Sequence, residues 1–183
     1  MSERLAGMLL VAVPHMFDPN FARAVVLVCE HNEQGALGVI LNRPTEAEVF
    51  EYLPDWAHLV AEPAVVFEGG PVEREVAIGL VASSHTQPSV GYTAISKGLG
   101  LMDLGSDPAE ATGIDLLRVF SGYAGWEAGQ LEQEIGAGGW FVLPARRDEG
   151  FAVSPAGLWR ETLTRQGGRL AVYANFPPDP TLN

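Results

Sequence analysis

Three apolar runs near the start of the chain, residues 8–13, 24–29 and 36–41, contain almost no polar interruption. The first two, rich in Val and Leu and bounded by turn residues, predict short strands buried on both faces. Pro14, Asp18 and Pro19 fill the first gap. Each proline lacks a ladder donor and fixes φ, so 14–23 reads as a compact turn, with Phe17 and Phe21 anchoring it inward. The second gap, His31-Asn32-Glu33-Gln34-Gly35, has the length and chemistry of a longer hairpin loop, which predicts an antiparallel pair. With 21 Gly and 13 Pro among 183 residues, the rest of the chain is cut into short elements rather than a helical bundle.

Arg43 precedes Pro44 and is held extended, and Thr45-Glu46-Ala47-Glu48 reads as a capping box opening a short helix. Its buried stripe is Val49, Phe50 and Leu53, and Pro54 ends it. Residues 55–63 are irregular, Ala64–Phe67 is a buried strand, and Glu68-Gly69-Gly70-Pro71 enforces a sharp exit. Residues 76–83 form the next strand, and 84–100 a long loop with one edge strand over Tyr92–Ile95. Asp107 and Pro108 start about one helical turn, Leu116–Phe120 is a strand, Leu131 and Ile135 share a helical face stopped by Gly136, and Trp140–Leu143 returns as a strand. Ser154 and Pro155 open a final helix with Leu158, Trp159, Thr162 and Leu163 inward, Glu161 paired with Arg165, and Gly167 at its end. Leu170–Ala174 adds an edge strand. No repeat, low-complexity tract or linker divides the chain, so residues 1–183 form one α+β domain.

Eleven basic against twenty-three acidic groups give a net charge of −12, whose field repels phosphate backbones. The one basic stretch, 144–169, holds five arginines against three carboxylates, and no helix-turn-helix is recognisable, so direct DNA binding is disfavoured. The single cysteine, Cys29, sits beside an apolar run, so it forms no intrachain disulfide and is expected to be buried and inert. No secretory signal opens the chain and no apolar run approaches the ~18 residues of a spanning helix. A cytoplasmic location without membrane association is expected.

Chemistry is sparse. Cys29 and His31 stand two apart on a strand and are expected on one face, the start of a dyad or metal pair, but no second pair or metal motif accompanies them. Ser83, Ser84 and His85 lack a nucleophile elbow. Gly69-Gly70 lacks the Lys of a phosphate loop, and Gly98-Leu99-Gly100 lacks the later Gly of a dinucleotide fingerprint. Asn42 and Arg43 offer donors to a carboxylate or phosphate if their strand end meets Glu68; the alternative is an internal Arg43–Glu68 ion pair. Tyr123 and Trp126 lie in a Gly-rich segment with the rigidity of a binding platform, or close the sheet as a lid.

Several blocks in one order give these residues a wider meaning: Asp18-Pro19-Asn20-Phe21, Cys29-Glu30-His31-Asn32, Gly35 through Pro44, Phe67 through Pro71, Gly122-Tyr123-Ala124-Gly125-Trp126, Trp140, and the ending from Leu158-Trp159 to Asn183. Through them the chain resembles the YqgE/AlgH family of bacterial proteins over almost its whole length. The resemblance implies a mostly antiparallel, bifurcated sheet curled into a pseudo-barrel with a few peripheral helices. It implies no activity, because the family is biochemically uncharacterised; the label of transcriptional regulator attached to it implies at most an indirect role. The leading expectation is a non-enzymatic binding or regulatory protein, without cofactor or metal. Its candidate surface is Asn42, Arg43, Glu68, Gly69, Gly70, Tyr123 and Trp126, and its partner a small anionic molecule or a protein. The alternative is an enzyme for a small anionic substrate, with Glu68 as acid/base and Arg43 as anchor.

Overall fold

Met8–Ala12 (β1), Val25–Asn32 (β2) and Gly35–Ile40 (β3) lie side by side and antiparallel in the computed structural model, which describes residues 4–84 and 90–178. The lack of alternation in these runs has a direct cause. Leu9 and Val11 face one apolar cluster while Leu10 and Ala12 face another, so both sides of β1 are out of water. Each Leu or Val so buried contributes roughly 1.5–3 kcal/mol relative to exposure.

Downstream, the capping-box reading is overturned. Pro44–Glu48 is a strand (β4), and the Thr45 hydroxyl donates to the Val66 carbonyl at 2.6 Å, which ties it to Val65–Glu68 (β5). The restriction that Pro44 places on Arg43 continues as extended chain through Glu48. The helix that follows, Val49–Tyr52 (α1), is a single turn, and Phe50, expected inside, is 65% exposed. A 3₁₀ segment over Pro54–Leu59 then brings Trp56 inward, its indole N–H donating to Leu104 at 3.1 Å.

The second half is built on one long strand. Val72–Ser83 (β6), Tyr92–Ser96 (β7) and Leu99–Met102 (β8) lead into Ile114–Glu127 (β9), which is longer than the Leu116–Phe120 core expected. β8 falls in a region expected to be loop; its glycine at position 100 lies flat against the Tyr92 ring, where a Cβ would stand 2.3 Å from ring carbons. Gln130–Gly136 (α2), Trp140–Pro144 (β10), Leu158–Gln166 (α3) and Gly168–Tyr173 (α4) complete the chain. The edge strand expected at 170–174 is thus helix. Leu170, Tyr173 and Ala174 recur at helical spacing and pack on the core, with Tyr173 5.3 Å from Phe141. Ser154 makes no capping bond, and Arg165 pairs with the buried Glu149 at 2.6 Å rather than with Glu161. Phe17 is exposed, whereas Phe21 turns inward as expected. Left-handed backbone after α2 occurs at Gly138, not Gly136.

The sheet runs β10-β1-β2-β3-β9-β6-β8-β7 and curls into a half-barrel. It bifurcates at β9. β6 pairs antiparallel along one edge, while the other edge is shared: β5 joins it in parallel at Phe67–Phe120 and Glu68–Ser121, and β3 takes over at 124–127. Three apolar clusters result. α3 covers the one holding Leu9, Leu27, Phe67 and Phe120; α2 and Phe21 cover the one holding Leu10, Trp126 and Trp140; α1 and the 3₁₀ segment cover Val81, Leu117 and Val119. Among the described residues no helix is long and apolar enough to cross a membrane.

Candidate functional site

The Asn42–Arg43 corner does meet the double-glycine bend, and it does so through main chain. The Glu68 N–H donates to the Arg43 carbonyl at 2.8 Å, and the Gly69 carbonyl accepts from the Ile40 N–H at 2.9 Å. The side chains are engaged elsewhere. Asn42 accepts from the Val25 N–H at 3.0 Å and donates to the Arg23 carbonyl at 2.8 Å. Arg43 donates to the carbonyls of Asn20 at 2.5 Å and Ala22 at 3.1 Å, clamping the Asp-Pro turn onto the end of β3. The Arg43–Glu68 ion pair is therefore not formed. Gly69 and Gly70 are glycines for strand contact: a Cβ on Gly69 would lie 2.2 Å from the Gly122 oxygen, and one on Gly70, at φ +156°, 2.1 Å from the Tyr123 carbonyl carbon.

Tyr123 closes the corner. It packs half-buried on the main cluster, and its hydroxyl donates to Glu73; desolvation first, then the neighbouring Glu73 charge and that hydrogen bond, push its pKa up. Trp126 is not part of this corner. Three residues further along a strand it faces the opposite side, where it is 6% exposed, stacked on Phe21, and donates to the Glu134 carboxylate at 2.9 Å. Trp140 donates to the same oxygen at 2.9 Å, so one carboxylate pins two indoles. The parity of 123 and 126 was the signal that separates them.

Cys29 and His31 are likewise parted. A β-bulge between Val28 and Glu30 resets the alternation, leaving Cys29 in the main core and turning His31 toward α2. Burial pushes the Cys29 thiol up to about 12. His31 accepts from the Leu5 N–H at 3.2 Å through Nδ1, and its Nε2–H donates to Glu132 at 2.7 Å. Among the described residues no group of three His, Cys, Asp or Glu side chains is placed to hold a metal ion. Ser83 donates to the Gly113 carbonyl and Ser84 to Asp115, while His85 lies outside the described residues. Arg118, hidden in the strand Leu116–Phe120, is wholly buried without a carboxylate; it lies 4.4 Å over Phe67 and donates to the carbonyls of Glu62 and Ala152. Burial lowers its pKa to about 10.

A cleft that the sequence reading did not foresee opens beside the corner. Its volume is about 540 Å³, within the usual range of ligand sites. Val119, Phe120 and Ser121 of β9 and Val66 of β5 form its floor; Thr45, Ala47, Tyr52 and Leu53 wall one side, Glu75 and Ala77 the other. Two irregular strands create it. β4 pairs with β5 only at Pro44 and Glu48, and β6 leaves β9 between Val72 and Ala77. Two of its three hydroxyls are spent, Thr45 on Val66 and Ser121 on the Arg74 carbonyl, and the third belongs to Tyr52 at the rim, so the floor behaves as apolar surface. Tyr52 at the rim is 67% exposed. The visible signal was acidity: residues 43–76 hold eight carboxylates against two guanidiniums, −6 of the whole −12.

The AlgH-like family model matches residues 9–171. A UPF0301 protein of Streptomyces coelicolor is 46% identical, covering 98% of this chain and 95% of the relative, and one of Thermobifida fusca is 47% identical, covering 98% and 96%. Among solved structures, a Corynebacterium diphtheriae protein superposes with a TM-score of 0.88 at 34% identity, covering 94% of this chain and 92% of that one. The solution structure of the AlgH protein from Pseudomonas aeruginosa gives 0.71 at 31%, covering 97% and 96%. Over nearly its full length, in sequence and in fold, this chain belongs to the AlgH-like, UPF0301 family.

Proposed function

We propose that this protein is a cytoplasmic, non-enzymatic binding protein with a regulatory role, and that it binds in the cleft over Val119–Ser121. One observation supports this most: an open, apolar-walled cleft of about 540 Å³ whose Thr45 and Ser121 hydroxyls are already bonded and whose lining includes a single ionisable carboxylate, Glu75, with no basic partner. Such a lining excludes water and gives shape recognition, and it supplies no acid–base pair for proton transfer. The corner of Asn42, Arg43, Glu68, Gly69, Gly70 and Tyr123 is its frame, because Phe67 and Glu68 pair with the floor residues Phe120 and Ser121. The absence of a basic group in the lining favours a neutral or cationic occupant over a small anion.

Titration of the chain with the neutral apolar dye Nile red, followed by methyl NMR, tests the reading. Shifts are expected at Leu53, Val66 and Val119, and Ala77→Trp, at an exposed position on the cleft wall, should abolish them. Shifts confined to other surfaces, or unchanged binding in Ala77→Trp, would overturn it.

A further inference from the structure

We infer that the natural occupant of this cleft is a basic amphipathic segment of a partner protein, an inference that rests on the binding reading above. The reason is how charge and apolar surface are arranged together. One lip, residues 44–52, carries Glu46, Glu48 and Glu51 and no basic group; the other, residues 73–77, carries Glu73 and Glu75 against Arg74. All six of these side chains are exposed. Glu75 lines the cleft and Glu51 stands beside the lining Tyr52 on α1, while Glu46 and Glu48 alternate with the lining Thr45 and Ala47 and so project from the outer face of that lip, adding to its negative field.

The cation that sequence proximity would supply to neutralise this rim is withdrawn. Arg43 is committed to the carbonyls of Asn20 and Ala22. With five carboxylates against one guanidinium on the two lips, an anionic or nucleic-acid partner meets repulsion, and a chain presenting Lys or Arg on either side of an apolar stripe meets complementary charge. Apolar anchors then find Val66, Val119 and Leu53, and Tyr52 offers aromatic surface at the edge. Because the lip carboxylates are solvent-exposed, their contribution is screened by salt, whereas the apolar anchoring is not.

The test uses the whole chain and a synthetic peptide of leucine and lysine patterned to present one apolar face, with a scrambled peptide of equal charge as control. The patterned peptide is expected to shift Leu53, Val66 and Val119, to bind roughly tenfold more tightly than the scrambled one, and to weaken by roughly tenfold between about 50 and about 500 mM salt. The triple variant Glu46→Gln, Glu48→Gln, Glu51→Gln, at lip positions outside the cleft lining, should lose roughly tenfold in peptide affinity while Nile red binding is unchanged. Equal affinity for the scrambled peptide, shifts away from the cleft, or an unaffected triple variant would overturn the inference. If Nile red enters the cleft and the peptide does not, the inference falls and the binding reading stands; if neither enters, both fall.

Discussion

The corner at Arg43 and Gly70 and the cleft at Val119 adjoin the same short strand, β5, and are built in opposite ways. At the corner polar groups are plentiful and nearly all consumed: an amide, a guanidinium and two glycines serve main-chain contacts between β3, β5, β9 and the Asp-Pro turn. In the cleft polar groups are few and apolar surface remains uncovered. A cluster of chemically attractive residues can thus be scaffold, while the open place is where the strands fail to pair. Unpaired stretches of β4 and β6 leave a gap that no helix among the described residues fills.

That contrast can be broken most forcibly at Gly70. Gly70→Val places side-chain atoms against the backbone of Tyr123, which cannot yield, and is expected to cost more than about 4 kcal/mol. Chemical denaturation, or loss of soluble folded protein, reads it; a midpoint equal to the parent's would show that the corner is not a frame. Asn42→Ala comes next, because it strands the Val25 N–H and the Arg23 carbonyl, at about 2 kcal/mol. Nile red affinity of the folded variant should stay at the parent value, and a parallel fall in affinity would merge the two regions into one site.

The closed interior also answers to alkali in a way the cleft should not. Cys29 has its folded pKa pushed from 9.0 up to about 12 by burial, so the core favours the neutral thiol. Its contribution is fully present below pH 9 and is lost as pH rises through about 12. Denaturation midpoints should therefore fall over that window, and less steeply in Cys29→Ala, whatever the variant's absolute stability. Arg118, lowered to about 10, works in the other direction as it sheds its proton in the fold, so the difference between parent and variant is the quantity to measure. An identical slope in the two would place the thiol in a wetter site. The smallest effect on stability belongs to Tyr52→Ser at the exposed rim, within about 0.5 kcal/mol. There the expected loss is in Nile red and peptide binding, and retention of both would remove Tyr52 from the site.

Much of the fold was legible because it follows from local rules. Uninterrupted Val and Leu in β1 and β2 meant two buried faces, and the break at 31–35 meant an antiparallel hairpin, although the five-residue loop expected there shrinks to Glu33 and Gln34 because His31, Asn32 and Gly35 pair in the strands. The failures have equally specific causes. Thr45 has the sequence signature of a helix cap, yet its hydroxyl finds a carbonyl on β5; Cys29 and His31 have the spacing of one strand face, yet a bulge turns one of them over. Tyr123 and Trp126 were joined as one platform although strand parity divides them. The cleft had no motif at all, only an excess of carboxylates around it.

What the sequence determined by itself is the inventory of apolar strands, the places where proline and glycine stop them, and the sign of the charge around residues 43–76. Those depend on neighbours a few positions apart. Tertiary structure alone decided that Asn42 and Arg43 hold main chain instead of a ligand, and that β5 presses so closely on β9 that only glycine fits at positions 69 and 70. It also decided that a cleft stays open where β4 and β6 part from their neighbours. A hydrogen-bond donor takes whichever acceptor the assembled chain brings within reach, and a groove exists only as the difference between surfaces that meet and surfaces that do not.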